Sequence, residues 1–330
     1  MAQKESATTQ ICPACGLTID TTNADLLARI ACPKCGEKVR VERMFDQFVL
    51  LETLGVGGMG TVYKARDTLL DRDVALKLLR SDLEGGLEQT KQLQQEARMV
   101  ALVNHPNVVR VFSSGTDHGQ FYLAMELVDC GSLEDLIEQH QRLPERQVVE
   151  TGIQVVQGLS AAYAKGLIHR DVKPANILFN DEHTAKISDF GLAGVAGQSG
   201  GGRHRVWGTP HYVAPERLRN EPEDFRSDIY SLGATLFHVI AGCPPIESET
   251  NSVVALLRLK SAPIDLKQVV PDVSEPTANV LHRMIAPDPT DRFSSYDELG
   301  TELEHVCGLL IAAPTSRSRN NSGGQCNVSV

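Results

Sequence analysis

Three groups of residues in this chain have side chains and spacing that chemistry could use. Histidine, arginine, aspartate, lysine and asparagine crowd into His169-Arg170-Asp171-Val172-Lys173-Pro174-Ala175-Asn176, and Asp189-Phe190-Gly191 begins thirteen residues after Asn176. Polar density of this kind in a connection between apolar segments points to function more than to packing. Gly55, Gly57 and Gly60 spell G-x-G-x-x-G, and glycines are needed where backbone must approach phosphate oxygens with no Cβ in the way. Cys12-Pro13-Ala14-Cys15-Gly16 and Cys32-Pro33-Lys34-Cys35-Gly36 are near-identical knuckles sixteen residues apart. Two such units can present four thiolates to one tetrahedral ion, with a glycine allowing the turn whose amides face sulfur.

The glycine motif by itself is a weak signal and also fits a hairpin without ligand. A dinucleotide fold would follow the glycines with a helix, whereas Thr61-Val62-Tyr63-Lys64 is β-branched and aromatic, so a strand-loop-strand lid fits better. Lys77 closes the apolar run Val74-Ala75-Leu76; strand-end lysines are mostly solvated, but a phosphate ligand needs a fixed cation of this kind. Leu93, Ala97, Val100 and Ala101 mark one face of an amphipathic helix with Glu96 beside it. A pair between Lys77 and Glu96 would aim the ammonium at the α- and β-phosphates.

The elements that must position these residues divide by length. Phe48 to Leu54, Thr61 to Ala65 and Val74 to Leu79 are short runs bounded by Gly or Asp, as strands and hairpins are. Val149, Ile153, Val156, Leu159 and Tyr163 recur at helical spacing, and Ile229 to Ile240 is apolar nearly all round before Gly242, Pro244 and Pro245. A strand-rich front part thus precedes a helix-rich rear part, joined near Met125 to Gly131. Residues 1–10 read as a polar lead-in, 11–43 as the cysteine module, 46–306 as one long alternation of apolar segments and 314–330 as a disordered tail. No internal repeat is evident.

The 330 residues, 42% hydrophobic and 22% charged, suit a globular chain with a sizeable core. A net charge of -10 disfavours nucleic acid as a partner, since phosphate-neutralising surfaces need excess lysine and arginine. No run approaches the ~18 apolar residues of a membrane span. The absence of an apolar leader segment implies a cytoplasmic location, and four of eight cysteines bunched in the first forty residues imply a reducing compartment and a metal site.

Taken in order, the glycine loop, strand lysine, helix glutamate, charged loop, Asp189-Phe190-Gly191 and Ala214-Pro215-Glu216 resemble the motif set of the protein kinases over about 46–306. The resemblance implies an α+β bilobal fold, with a small antiparallel β-sheet lobe plus one helix (46–125), a hinge (126–131) and a larger helical lobe (132–306). It implies ATP-dependent phosphotransfer with Mg2+, or Mn2+, to Ser and Thr hydroxyls of protein substrates, with autophosphorylation and bacterial-type signalling. By that likeness Asp171 accepts the hydroxyl proton, Lys173 steadies the γ-phosphate, and Asn176 and Asp189 hold the metal. The nucleotide would lie against Leu54, Gly55, Val56, Gly57, Gly58, Met59, Gly60, Val62, Ala75, Lys77, Glu96, Met125 as gatekeeper, Glu126, Val128 and Leu178. Lys173 and Thr209 resemble the serine/threonine subtype, and Arg292 resembles the partner of Glu216. Lys77, Asp171, Asn176 and Asp189 all stand in their frames, which argues against a nucleotide-binding scaffold without catalysis.

The chain departs from its likeness between Leu192 and Trp207. Related bacterial kinases carry phosphorylatable threonines where this chain has Gly201 and Arg203, and the segment offers Ser199 alone while adding His204 and Arg205. The expectation is an enzyme that needs no phosphate at the usual position, with Ser199 phosphorylation as the rival.

The cysteine module resembles a zinc ribbon, with Cys12, Cys15, Cys32 and Cys35 holding structural Zn2+; tetrathiolate iron and a redox dithiol pair share the spacing. Residues 10–43 carry five basic side chains (Arg29, Lys34, Lys38, Arg40, Arg43) against four acidic ones (Asp20, Asp25, Glu37, Glu42), so the module is expected to contact protein. Cys130, Cys243, Cys307 and Cys326 are scattered and read as packing or tail residues.

Overall fold

The computed structural model describes residues 9–22, 24, 26–41, 44–58, 60–80, 87–117, 119–190, 210–246, 252–262 and 264–312. The expectations for Met59, for Gly191, for Ser199, Gly201 and Arg203 to Arg205, for Thr209, for Cys326 and for the 314–330 tail lie outside these residues. Two compact units separate, Met1–Thr90 with Val111–Leu127, and Lys91–Arg110 with Val128–Val330.

In the first unit, β1 (Thr9–Ile11) and β2 (Thr18–Asp20) form one antiparallel hairpin, and β3 (Arg29–Ala31) and β4 (Lys38–Arg40) a second. Their registers are the same twenty positions apart: Thr9 faces Asp20 as Arg29 faces Arg40, and Ile11 faces Thr18 as Ala31 faces Lys38. The chain therefore does contain an internal repeat, contrary to the sequence reading. Outside the knuckles the two copies share only alternation, Ile19 and Val39 pointing inward with Cys12 and Cys32, so residue identity conceals it.

A six-stranded antiparallel sheet completes this unit, in the order β5-β6-β7-β8-β10-β9. Its strands are β5 (Met44–Phe45), β6 (Phe48–Gly57), β7 (Gly60–Asp67), β8 (Arg72–Leu79), β9 (Val111–Asp117) and β10 (Gln120–Met125). The two-residue period of a strand puts Val74, Leu76 and Leu78 on one face of β8, in a core with Phe48, Leu50, Tyr63 and Tyr122, and turns Ala75 and Lys77 to the other. Leu26 and Leu27, from the connection between the two hairpins, pack against that same core. The cysteine module is thus fastened to the sheet.

Helix α1 (Leu87–Ala101) buries Leu93, Ala97 and Val100; Ala101, expected on that face, is exposed at the helix end. The second unit continues with α2 (Leu133–His140), capped by reciprocal hydrogen bonds between Ser132 and Asp135, and α3 (Glu145–Tyr163). Of the expected α3 stripe, Val149, Val156 and Leu159 are buried, but Tyr163 is 44% exposed, and Val148, Val155 and Ala162 widen the stripe. The hairpin β11 (Ile177–Phe179) and β12 (Ala185–Ile187) follows the charged loop. The remaining helices are α4 (Pro215–Leu218), α5 (Phe225–Ala241), α6 (Val253–Lys260), α7 (Leu266–Val269), α8 (Glu275–Met284) and α9 (Tyr296–Ala312). Helix α5 is buried almost throughout and ends at Gly242, whose φ of 78° closes its last turn. Among the described residues no helix is long and apolar enough to cross a membrane.

Candidate active site and candidate metal centre

Helix α5 positions the charged loop through its first turn. Asp228, almost completely buried, accepts hydrogen bonds at 2.7 Å from the backbone amides of His169 and Arg170. Burial pushes its carboxyl up from the ordinary range, and the two amides, His169 and the Tyr296 hydroxyl work against that shift. The ring of His169 ties the loop to the strand beyond. The amide of Asp171 can only donate, so Nδ1 of His169 (3.1 Å) accepts, and Nε2–H donates to the Ser188 carbonyl at 2.7 Å. One imidazole, bonded through both ring nitrogens, thereby fixes the loop against the residue before Asp189, and the Phe190 ring lies tilted beside it with centroids 4.5 Å apart.

Within the loop the polar side chains converge. Lys173 Nζ lies 2.9 Å from Asp171 Oδ2, and Asn176 Nδ2 reaches the Asp171 carbonyl (2.8 Å) and Oδ2 (3.1 Å). Since the amide nitrogen is spent on Asp171, Asn176 presents its Oδ1 as a spare acceptor, the hard oxygen a divalent cation takes. The Asn176 carbonyl accepts from the Ser188 amide at 2.9 Å, which couples the asparagine to the segment carrying Asp189. Arg170 and Asp189 both adopt left-handed backbone, with φ of 67° and 64°. Side chains with a Cβ hold such angles only where their surroundings impose them, and such residues cluster at functional sites. Leu178 sits in β11 opposite Lys186, and Val128 begins the stretch leading to α2. One carboxylate oxygen of Glu96 is buried with no hydrogen-bond partner among the described residues, and burial raises its pKa to about 7 against the pull of Arg170.

The first unit holds the other expected residues. Leu54 to Gly57 end β6 and Gly60 starts β7, with Val56 facing Thr61 and Gly57 facing Gly60. A Cβ at Gly60 would fall 2.0 Å from the Leu78 carbonyl, so close strand approach requires that glycine. At Gly55 and Gly58 a Cβ would meet nothing within 4 Å. Packing does not ask for glycine there. Val62 faces Lys77 across β7 and β8, and Ala75 faces Met125 across β8 and β10, with Lys77 only 5% exposed. Glu126 follows in the same unit.

The four cysteine sulfurs of the hairpin pair lie within 4.8 Å of one another. The Cys12–Cys35 and Cys15–Cys32 separations are 3.6 Å, close to the ~3.8 Å edge of a tetrahedron with bonds of about 2.3 Å. Gly16 and Gly36, at φ of 71° and 75°, each donate 2.9 Å back to the carbonyl of the first cysteine in their knuckle. The donor set and its geometry fit zinc.

Sequence reading missed the residues that hold the loop from outside. Glu223 lies 3.4 Å from Arg170 Nε and 3.3 Å from Arg217 Nε, and Arg217 also donates to the Arg170 carbonyl. Lys260 is buried with the His211 carbonyl and the Tyr230 hydroxyl as neighbours. No spacing rule links positions so far apart in the chain. Arg292 does meet Glu216, as expected.

The family model described as protein kinase domain matches residues 48–303. The probable serine/threonine-protein kinase CPE1738 of Clostridium perfringens is 33% identical over 79% of this chain and 38% of its own length. Serine/threonine-protein kinase PknB of Mycobacterium leprae is 35% identical over 79% of this chain and 43% of its own. The chain thus spans about two fifths of the length of the curated relatives it matches. Among solved structures, the kinase domain of Mycobacterium tuberculosis PknI superposes with a TM-score of 0.64 at 28% identity, covering 80% of this chain and 96% of that one.

Proposed function

The chain belongs to the protein kinase family, and from that membership we propose that it transfers the γ-phosphate of ATP to Ser and Thr hydroxyls of proteins, itself included. The observation that carries the reading is the convergence of Lys173 and Asn176 on Asp171, 2.9 and 3.1 Å from one carboxylate oxygen. In this reading Asp171 orients the acceptor hydroxyl and takes its proton as oxygen bonds to the γ-phosphorus and the bond to ADP breaks. Lys173 balances negative charge spreading over the phosphoryl oxygens, and such positioning supplies most of the catalysis in phosphoryl transfer. Asn176 and Asp189 hold Mg2+ or Mn2+, which neutralises the phosphates when bound. The open backbone from Gly55 to Gly58 covers the triphosphate, Lys77 serves the α- and β-phosphates, and Ala75, Met125, Glu126, Val128 and Leu178 receive the base.

Purified protein given radiolabelled ATP, Mg2+ and a generic acceptor tests this. Asp171→Asn should keep ATP binding and lose transfer by ~10²- to 10⁴-fold, the usual contribution of a positioned base; equal transfer by both proteins rules the reading out.

Cys12, Cys15, Cys32 and Cys35 hold structural Zn2+ in this proposal, supported by their near-tetrahedral sulfur spacing. The thiols must stay reduced for that, which supports a cytoplasmic location. The module contacts protein. Charge is segregated between its two hairpins: the second carries Arg29, Lys34, Lys38 and Arg40 against Glu37, with Arg29 directly facing Arg40. Acidic side chains on the partner would relieve that like-charge pairing.

A further inference from the structure

Arg170 immediately precedes Asp171, so its backbone aims the carboxylate. That backbone is left-handed, and three contacts hold it. Asp228 takes the amide, Arg217 donates to the carbonyl, and Glu223 faces the guanidinium. Glu223 divides its carboxylate, Oε2 toward Arg170 at 3.4 Å and Oε1 toward Arg217 at 3.3 Å. Without it, two guanidiniums would face each other while one remained bound to the carbonyl beside the other. Glu223 is largely shielded, its side chain 17% exposed. Burial pushes its carboxyl up, with Asp228 and Glu216 adding to that shift, while Arg217 and then Arg170 pull against it, so the two cations it joins are what favour its charged form. The segment Leu192 to Trp207 offers one hydroxyl side chain, Ser199, amid Arg203, His204 and Arg205.

We infer that Glu223 is a positioning residue for Asp171: it joins Arg170 to Arg217, fixes the left-handed turn before the catalytic carboxylate, and supplies from within the chain the negative charge that a loop phosphate would otherwise bring. This rests on the phosphotransfer reading and adds its regulation, an enzyme competent without phosphorylation of its loop.

The test uses the full chain, phosphatase-treated and shown phosphate-free by intact mass, with kcat, the acceptor KM and Mg-ATP affinity measured separately. Dephosphorylated wild type and Ser199→Ala are both expected to transfer phosphate. Glu223→Gln should lower kcat by roughly 10-fold or more with Mg-ATP affinity within about twofold, the pattern of a misaimed group in a formed site. Glu223→Asp should recover part of that loss. In an Arg170→Gln background the same Glu223→Gln change should cost less than about twofold, since coupled residues show non-additive effects.

Three results overturn the inference while leaving the kinase reading intact: Glu223→Gln matching wild type, its loss undiminished in the Arg170→Gln background, or dephosphorylated wild type inactive until Ser199 is phosphorylated. If Glu223→Gln alone does not fold, Arg170→Gln/Glu223→Gln decides against Arg170→Gln, parity supporting the inference and further loss overturning it. Wild type that binds Mg-ATP yet transfers nothing, phosphorylated or not, ends the kinase reading and this inference with it, an outcome that does not depend on residue 223.

Discussion

Arg292 and Glu216, 76 positions apart, meet as a two-pronged ion pair, Nη1 to Oε1 at 2.8 Å and Nη2 to Oε2 at 2.9 Å, with both side chains buried. The guanidinium also donates to the carbonyls of Ala286 and Arg226, and Ser227 donates to Glu216. Every charged atom thus has a partner, and the pair locks α4 to the turn before α9.

Arg292→Ala should destabilise the protein by about 3–5 kcal/mol, the cost of leaving a buried charge unpaired, read as a shift in the denaturant midpoint. Arg292→Lys cannot reproduce the fork and should recover only part. Burial pushes the Glu216 carboxyl up, but Arg292 and Ser227 outweigh it and the net shift is downward. Its contribution is therefore present above the ordinary glutamate range and lost as pH falls through the depressed folded value. Acid titration of stability should be shallower in Arg292→Ala.

Gly60 and Gly58 should separate folding from function. Gly60→Ala drives a Cβ into the Leu78 carbonyl, so the sheet must shift and the melting temperature should fall by several degrees, as about 1–3 kcal/mol of overpacking implies. Gly58→Ala has room and should melt like wild type, yet bind ATP more weakly if the open backbone serves phosphates. A Gly58→Ala protein with unaltered ATP affinity would count against that role.

Metal analysis should find one zinc per chain, and Cys32→Ser should abolish it. In small modules zinc contributes ~10–16 kcal/mol of apparent binding free energy that is also folding free energy. Because Leu26 and Leu27 rest on the sheet core, chelation should lower the main thermal transition as well as unfold the hairpins. An unchanged main transition in chelated protein would show the module to be energetically separate.

Burial lowers the Lys260 pKa to about 7, with Glu216 pulling the other way. Between about 7 and the ordinary lysine value near 10.5 the unfolded chain binds the extra proton, so stability from this group rises with pH across that window and is flat below it. Lys260→Met should remove the slope and stabilise the protein at neutral pH, since a buried ammonium with only long hydrogen bonds is costly. Parallel stability–pH curves for the two proteins would disprove it.

Local chemistry made much of this molecule legible in advance. Short apolar runs bounded by Gly or Asp wrote the strands around Lys77, near-continuous hydrophobicity wrote α5, and glycine spacing wrote the β6–β7 turn, because each reflects steric or solvation rules acting within a few residues. The knuckles were equally plain, since two thiolates and a glycine fit one turn. What only tertiary structure decided is how distant groups divide their charges. Asp228 serves two amides of a loop nearly sixty residues earlier, His169 takes its tautomer from Asp171 and Ser188, and Glu223 stands between Arg170 and Arg217. A carboxylate reads the same in a sequence whether solvated or buried between two cations, and only the folded chain sets the desolvation and the partners that fix its role.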